Sequence, residues 1–182
     1  MKLPIYLYGH PILREIAKPV TGDFSQLRDL VQDMTETMDA AIGVGLAAPQ
    51  IGKSIRLFIR RDVIEDDEGG GEMGDVKVYI NPKVEILTQK TELCDEGCLS
   101  IPKVRGEVAR PLHIRVEAHD LDGKHFAEEL MGYNARCVQH ENDHLNGILY
   151  IDRLIKSDKL RLEQHLKAIK RQAKETQFLR VV

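Results

Sequence analysis

The chain has 182 residues, 42% of them hydrophobic and 30% charged, enough for one domain that hides roughly 70% of the surface its unfolded chain would expose. Lys and Arg total 26 against 29 Asp and Glu, a formal charge of -3 with no long basic run, so the clustered positive charge that nucleic-acid binding needs is missing. Apolar stretches are broken by charge, Gly or Pro within about ten residues, short of the roughly 20 that a membrane-spanning helix requires.

Residues 1–20 carry Pro4, Gly9 and Pro11 inside their apolar stretch and lack the basic start and continuous apolar middle of a secretory signal, which points to the cytoplasm. Cys94, Cys98 and Cys137 are an odd and sparse set, expected as reduced thiols rather than a disulfide framework. No internal repeat or long linker divides the chain, so residues 1–182 are expected to form one domain. From Asp23 the pattern predicts a helix, capped by Asp23 or Ser25, with Leu27, Leu30, Val31, Met34, Met38 and Ala41 at helical spacing until Gly43 stops it.

Residues 55–60, 76–80 and 84–87 are rich in Ile, Val and Phe and predict strands. Residues 65–75 are acidic and contain Gly69, Gly70, Gly71 and Gly74, a composition expected of a mobile surface loop. Leu112, Ile114, Val116 and Ala118 alternate with polar neighbours, and Asp122-Gly123 then offers a hairpin turn into a strand starting near Lys124. A second helix is predicted over residues 132–145, ending at Asn146-Gly147. A third, over residues 157–175, puts Leu162, Leu166, Ile169 and Ala173 on one stripe and reads as a helix packed on the outside.

His140, Glu141, Asn142, Asp143 and His144 spell H-E-x-x-H inside the second helix. At that spacing the two histidines lie about 40° apart around the axis and about 6 Å apart along it, close enough to share one metal ion. Glu141 then flanks the ion, where its carboxylate can serve as general base toward a water. A catalytic centre needs a third protein ligand and one open position. Glu163, 19 residues after His144, lies near the spacing of a glutamate ligand in one class of zinc peptidases, whereas the pattern that ends in a third histidine fails at Tyr150. The other candidate is Cys98, a potential thiolate beside Gly97, whose lack of a Cβ allows close backbone approach. The small residues from Gly43 to Ala48 can expose backbone donors and acceptors to an extended ligand, and Gln50 supplies an amide donor for an oxygen gaining negative charge. His10, His113, His119, His125 and His165 show no ligand spacing and read as surface or strand residues.

Taken together, residues 43–50, 96–100 and 139–144 match G-x-G-x-A-A-x-Q, E-G-C-L-S and Q-H-E-x-D-H, and the chain resembles the peptide deformylase family from about residue 9 to residue 155. Pro11, Leu13, Arg14, Ala17, Pro19, Val20, Ile101, Pro102, Leu145 and Gly147 extend the likeness. The resemblance implies an α+β single domain, antiparallel sheets packed around a central metal-binding helix, with an N-terminal and a C-terminal helix. It implies removal of the formyl group from N-formylmethionyl nascent polypeptides in the cytoplasm, by a monomer that meets them at the ribosome surface.

By the same resemblance Cys98, His140 and His144 bind one divalent ion, natively ferrous iron, with zinc, nickel or cobalt able to stand in. Glu141 moves the proton, and Gln50 with the backbone N–H of Leu99 stabilises the oxyanion. Val44, Tyr133, Arg136 and Cys137 are expected around the methionine side chain, Gly45 and Gly97 are further substrate-binding residues, and Arg105 is expected at the cleft mouth. Two alternatives stay open at this point: a zinc endopeptidase using Glu163, and a binding module in which Cys98 and the histidines hold only a structural metal. Neither the acidic Gly-rich stretch nor Cys94 matches a signature position.

Overall fold

The computed structural model describes residues 1–65 and 71–179. In chain order these form β1 (Ile5–Tyr6), α1 (Arg28–Ala40), β2 (Gly45–Ala47), β3 (Leu57–Glu65), β4 (Gly71–Ile86), β5 (Thr91–Cys98), β6 (Ile101–Pro111), β7 (His113–His119), β8 (His125–Met131), α2 (Gly132–Leu145), α3 (Lys156–Glu175) and β9 (Phe178–Leu179). A five-stranded sheet in the order β2-β3-β4-β7-β8 is antiparallel throughout, β5 and β6 form a separate hairpin, and β1 pairs with β9.

The large sheet is sandwiched by alternation along its strands. Leu57 and Ile59 of β3 pack with Val31, Met34 and Met38 of α1, whereas Phe58 packs with Tyr79, Ile114 and Val116 and with Ala135, Val138 and Leu145 of α2. Each large aliphatic side chain buried this way contributes about 1.5–3 kcal/mol. The exposed Arg28–Asp122 pair beside α1 is worth about 1 kcal/mol at most, so the apolar face and not the ion pair holds that helix. Helix α3 buries Leu162 and Ile169 against Val104 and Val108 of β6 and against Leu149 and Tyr150. The result is a single-domain α+β fold with α2 between the sheet and the β5–β6 hairpin.

Several elements differ from expectation for local reasons. The first helix does not start at Asp23: its carboxylate accepts the Ser25 N–H at 2.9 Å and caps a 3-10 turn, Phe24–Leu27, from which α1 continues. At the other end the helix stops at Ala40, short of Gly43, and Ile42 takes the left-handed conformation at φ +55°. The expected loop over residues 65–75 is partly strand, because Glu65 pairs with Gly71, Ile64 with Glu72 and Val63 with Met73; residues 66–70, the centre of that expected mobile loop, lie outside the described residues. Residues 76–80 and 84–86 are not two strands but parts of β4, which ends before Leu87 and is interrupted by a register shift between Ile80 and Lys83, where Asn81 has φ +52° and Pro82 has no N–H to offer the ladder.

Candidate metal centre

Helix α2 presents His140, Glu141 and His144 toward the end of β5, where Cys98 closes the hairpin strand. The ligand atoms of Cys98, His140 and His144 all lie within 4.8 Å of one another, and Cys98 Sγ is 3.3 Å from His144 Nε2. His140 Nδ1 meets Glu96 Oε2 at 3.0 Å, which leaves Nε2 as that ring's ligand atom, the arrangement usual for metal-binding histidines. The donor set of one thiol and two imidazoles suits zinc, ferrous iron and related divalent ions, and spacing and ring orientation both fit one ion.

Glu96 organises the surroundings. Arg110 reaches it through Nε at 2.6 Å and Nη2 at 2.9 Å, and Arg136 Nη1 approaches at 2.8 Å. Burial opposes charge on Glu96, but its hydrogen bonds to Arg110 and His140 outweigh that cost and hold the carboxyl well below the usual range. Burial likewise disfavours a proton on His140, yet hydrogen bonds to Cys98 and Glu96 lift its pKa to about 10. Burial drives His144 the other way, well below its ordinary value, and the nearby His140 adds to the effect.

Glu141 is 5% exposed and abuts Gly45, where a Cβ would come within 2.8 Å of the Glu141 carboxyl carbon. Its Oε2 has no hydrogen-bond partner among the described residues. Burial pushes its carboxyl up to about 7 against the pull of His140 and Arg110. Gln50 is fixed by the Ala47 N–H, which donates to Oε1 at 2.8 Å, so that Nε2 faces Cys98 Sγ at 3.4 Å and Ser100 Oγ at 3.2 Å.

A cleft of about 600 Å³ opens over these groups and is lined by Val44, Gly45, Gln50, Gly97, Cys98, Leu99, Arg105, Tyr133, Arg136, Cys137, His140 and Glu141. Of the site residues singled out from the sequence, only His144, whose Nε2 is 3.3 Å from Cys98 Sγ, and the alternative ligand Glu163 do not line it. Arg136 lines it with its guanidinium already engaged by Glu96, Val108 O and Glu92 O. Arg105 sits at the rim in an exposed pair with Asp95. Glu163 stands apart on α3, exposed and paired with Lys167, so it does not join the cluster and the endopeptidase alternative loses its third ligand. Among the described residues no fourth ligand joins the three, whereas structural zinc sites close with four.

Sequence reasoning missed the roles of Glu96, Arg110 and Asp143. Arg110 Nη1 donates to Asp143 Oδ2 at 2.8 Å, and Arg153 grips the same carboxylate from outside. A signal existed: β6 buries Val104, Gly106, Val108 and Arg110 in alternation, so an arginine falls on the inward face of a strand, where it must have an acidic partner.

Two histidines one helical turn apart and a strand cysteine, converging below an open cleft, define the layout of a mononuclear metal-dependent hydrolase. A family model for polypeptide deformylase matches residues 2–160. The chain is 44% identical over 174 residues to a peptide deformylase of Saccharophagus degradans, covering 96% of this chain and 97% of that one. To one from Acinetobacter baumannii it is 42% identical over 170 residues, 93% of each chain. The crystal structure of peptide deformylase from Plasmodium falciparum superimposes with a TM-score of 0.85 at 32% identity, covering 94% of this chain and 98% of that one. The chain belongs to the peptide deformylase family, enzymes that remove the N-terminal formyl group from newly made polypeptides. No helix among the described residues is long and apolar enough to cross a membrane.

Proposed function

We propose that this chain hydrolyses the formyl amide of N-formylmethionyl polypeptides, with Cys98, His140 and His144 holding one divalent ion at the cleft floor. The observation that carries this reading is the convergence of those three donors beside a buried Glu141 carboxylate with a free oxygen. A divalent ion there supplies Lewis acidity, which lowers the pKa of water and polarises a carbonyl oxygen. Glu141 accepts the proton of the attacking water and passes it to the departing nitrogen, so the C–N bond breaks to give formate and a free amine. Gln50, its amide oriented by Ala47, and the Leu99 N–H donate to the oxygen that becomes negative.

The methionine side chain lies in the part of the cleft walled by Val44, Tyr133 and Cys137, with Gly45 and Gly97 letting the substrate backbone approach. Arg136 contributes its aliphatic stem there, since its guanidinium is committed to Glu96, and Arg105 at the rim faces the peptide that follows. Ferrous iron is the native ion, because the reaction asks for an easy change in ligand number that zinc accommodates less readily; zinc, nickel and cobalt also suit the donor set. The enzyme acts as a cytoplasmic monomer on chains emerging at the ribosome surface.

Formate release from a formyl-methionyl tripeptide, measured on protein purified without oxygen, tests this reading. One formate per peptide is expected, faster from the iron form than from zinc-loaded protein, with internal bonds left intact. Cleavage of internal bonds in an unformylated protein, without formate release, overturns it; equal rates for iron and zinc overturn only the choice of ion.

A further inference from the structure

Helix α2 carries two ligands and the proposed base, yet it begins without a side-chain cap: Met131 precedes it with no capping hydrogen bond, and Gly132 enters with φ +55°. Its first turn is instead fastened by Asn134. The Asn134 side-chain amide donates from Nδ2 to Val63 O at 2.8 Å and accepts from Val63 N through Oδ1 at 3.0 Å. A side chain thus pairs with the backbone of β3 as a neighbouring strand would.

The pairing falls where β3 has run out of partner on one edge. Arg61 N donates to Val44 O at 2.9 Å, just past the last registered pair of β2, Gly45 with Arg60. The opposite edge shifts register between Arg61 and Val63 in its pairing with β4. Arg60 completes the arrangement. It is fully buried, and its Nη1 donates to Asn134 Oδ1 at 2.8 Å and meets Asp62 Oδ1 at 2.7 Å. Its Nε donates at 2.9 Å to the Tyr79 hydroxyl, which donates in turn to Glu128.

A helix lying on a sheet through small apolar residues such as Ala135 and Val138 resists separation, but such packing opposes sliding and rotation only weakly. The site leaves no room for either movement, because Glu141 already abuts Gly45. Glu141 lies seven residues beyond Asn134, roughly 10 Å along the axis. The far end of α2 is gripped through Asp143 by Arg110 and Arg153. A second fixed point near the start of the helix therefore determines where the residues between must stand.

We propose that Asn134, held on Val63 and Arg60, is a positioning residue for deformylation: this clamp sets the axial register of α2 and hence the placement of His140 and Glu141 against Cys98. The inference rests on the metal site proposed above.

The test compares Asn134→Leu, Asn134→Asp and Ile169→Ala with the parent protein, reading Co2+ affinity by chelator competition together with kcat and KM for formate release. Leucine is similar in volume and makes none of the three bonds, aspartate keeps the acceptor for Val63 N and Arg60 but sets a carboxylate oxygen against Val63 O, and Ile169→Ala loosens α3 away from the site as a stability control. Asn134→Leu is expected to lose about 10- to 100-fold in Co2+ affinity, the range for outer partners of metal ligands, with lower kcat and unchanged KM. Asn134→Asp falls between it and the parent, and Ile169→Ala at a comparable Tm keeps both affinity and kcat. Parent-like affinity and kcat in Asn134→Leu, or equal losses in Ile169→Ala at matched Tm, overturns the clamp alone. Should Asn134→Leu not fold, Asn134→Asp decides: reduced affinity at a Tm no lower than that of Ile169→Ala supports the clamp, and parent-like affinity overturns it. Absence of both Co2+ binding and formate release in the parent overturns the functional reading and the clamp with it.

Discussion

Glu96 shows how one buried carboxylate makes a ligand set out of separate elements. It stands two residues before Cys98 on β5 and ties that strand to His140 on α2 and Arg110 on β6. Isolated, such a charge costs several kcal/mol to bury; here two arginines and an imidazole satisfy it. The thiol two residues on then faces the histidine pair. Cys98→Ala is accordingly expected to emerge from purification without its ion, and Glu163→Ala to keep a full complement, as metal content will report. A metal-free Glu163→Ala protein would return the endopeptidase alternative to contention. At this scale His140, Glu141 and His144 stand out in the sequence because the spacing of H-E-x-x-H puts them on one helix, whereas Cys98 and Gln50 could be told from ordinary residues only through the resemblance of their motifs to a family. Glu96 and Arg110 were less legible, since their partner lies on a strand that only the fold brings near.

Among the elements, α2 was legible to the residue, because its helical pattern and its Asn146-Gly147 end agree. The β5–β6 hairpin was not. In β5 the run Glu92, Leu93, Cys94, Asp95, Glu96 shows no period of two, and in β6 the alternation of Val104, Gly106 and Val108 with Lys103, Arg105 and Glu107 is masked by a glycine and an arginine on the inward face. What fixes the hairpin is contact with α3. Gly106 lies so close to that region that a Cβ would stand 2.5 Å from Leu154 Cδ2 and 3.0 Å from Asp158 Oδ2. Asp158 in turn accepts the Glu107 N–H at 2.6 Å. Gly106→Ala is therefore expected to lower stability by about 1–3 kcal/mol through overpacking, read as a fall in the denaturation midpoint. An unchanged midpoint would mean that α3 yields freely and does not hold the hairpin in place.

For the molecule as a whole, the N-terminal segment closes over the end of α2. Arg14 binds Gly147 O at 3.2 Å and pairs with Asp152, which also accepts the Leu149 N–H at 2.9 Å. Burial works against the Asp152 carboxylate, but the Arg14 and Leu149 hydrogen bonds prevail and lower its pKa. A folded pKa below the unfolded value of about 3.9 stabilises the native state above that pH, and the contribution fades as pH falls through the folded value. Asp152→Asn should therefore melt below the parent protein at neutral pH, with the difference closing in acid. A gap that stays constant down to pH values well below about 3.9 would show that the charge is not its source.

On the proposed reading, deformylation occurs at the Cys98, His140 and His144 centre with Glu141 moving the proton. Glu141→Gln tests it most directly, because the amide nearly preserves the shape of the side chain while abolishing its basicity. With ion content measured on each sample and one formyl-methionyl peptide as substrate, the variant is expected to retain its ion. Its formate release should fall by about 100- to 10,000-fold, the range for a general acid-base group. Near-parent turnover in the metal-loaded variant would remove Glu141 from the reaction.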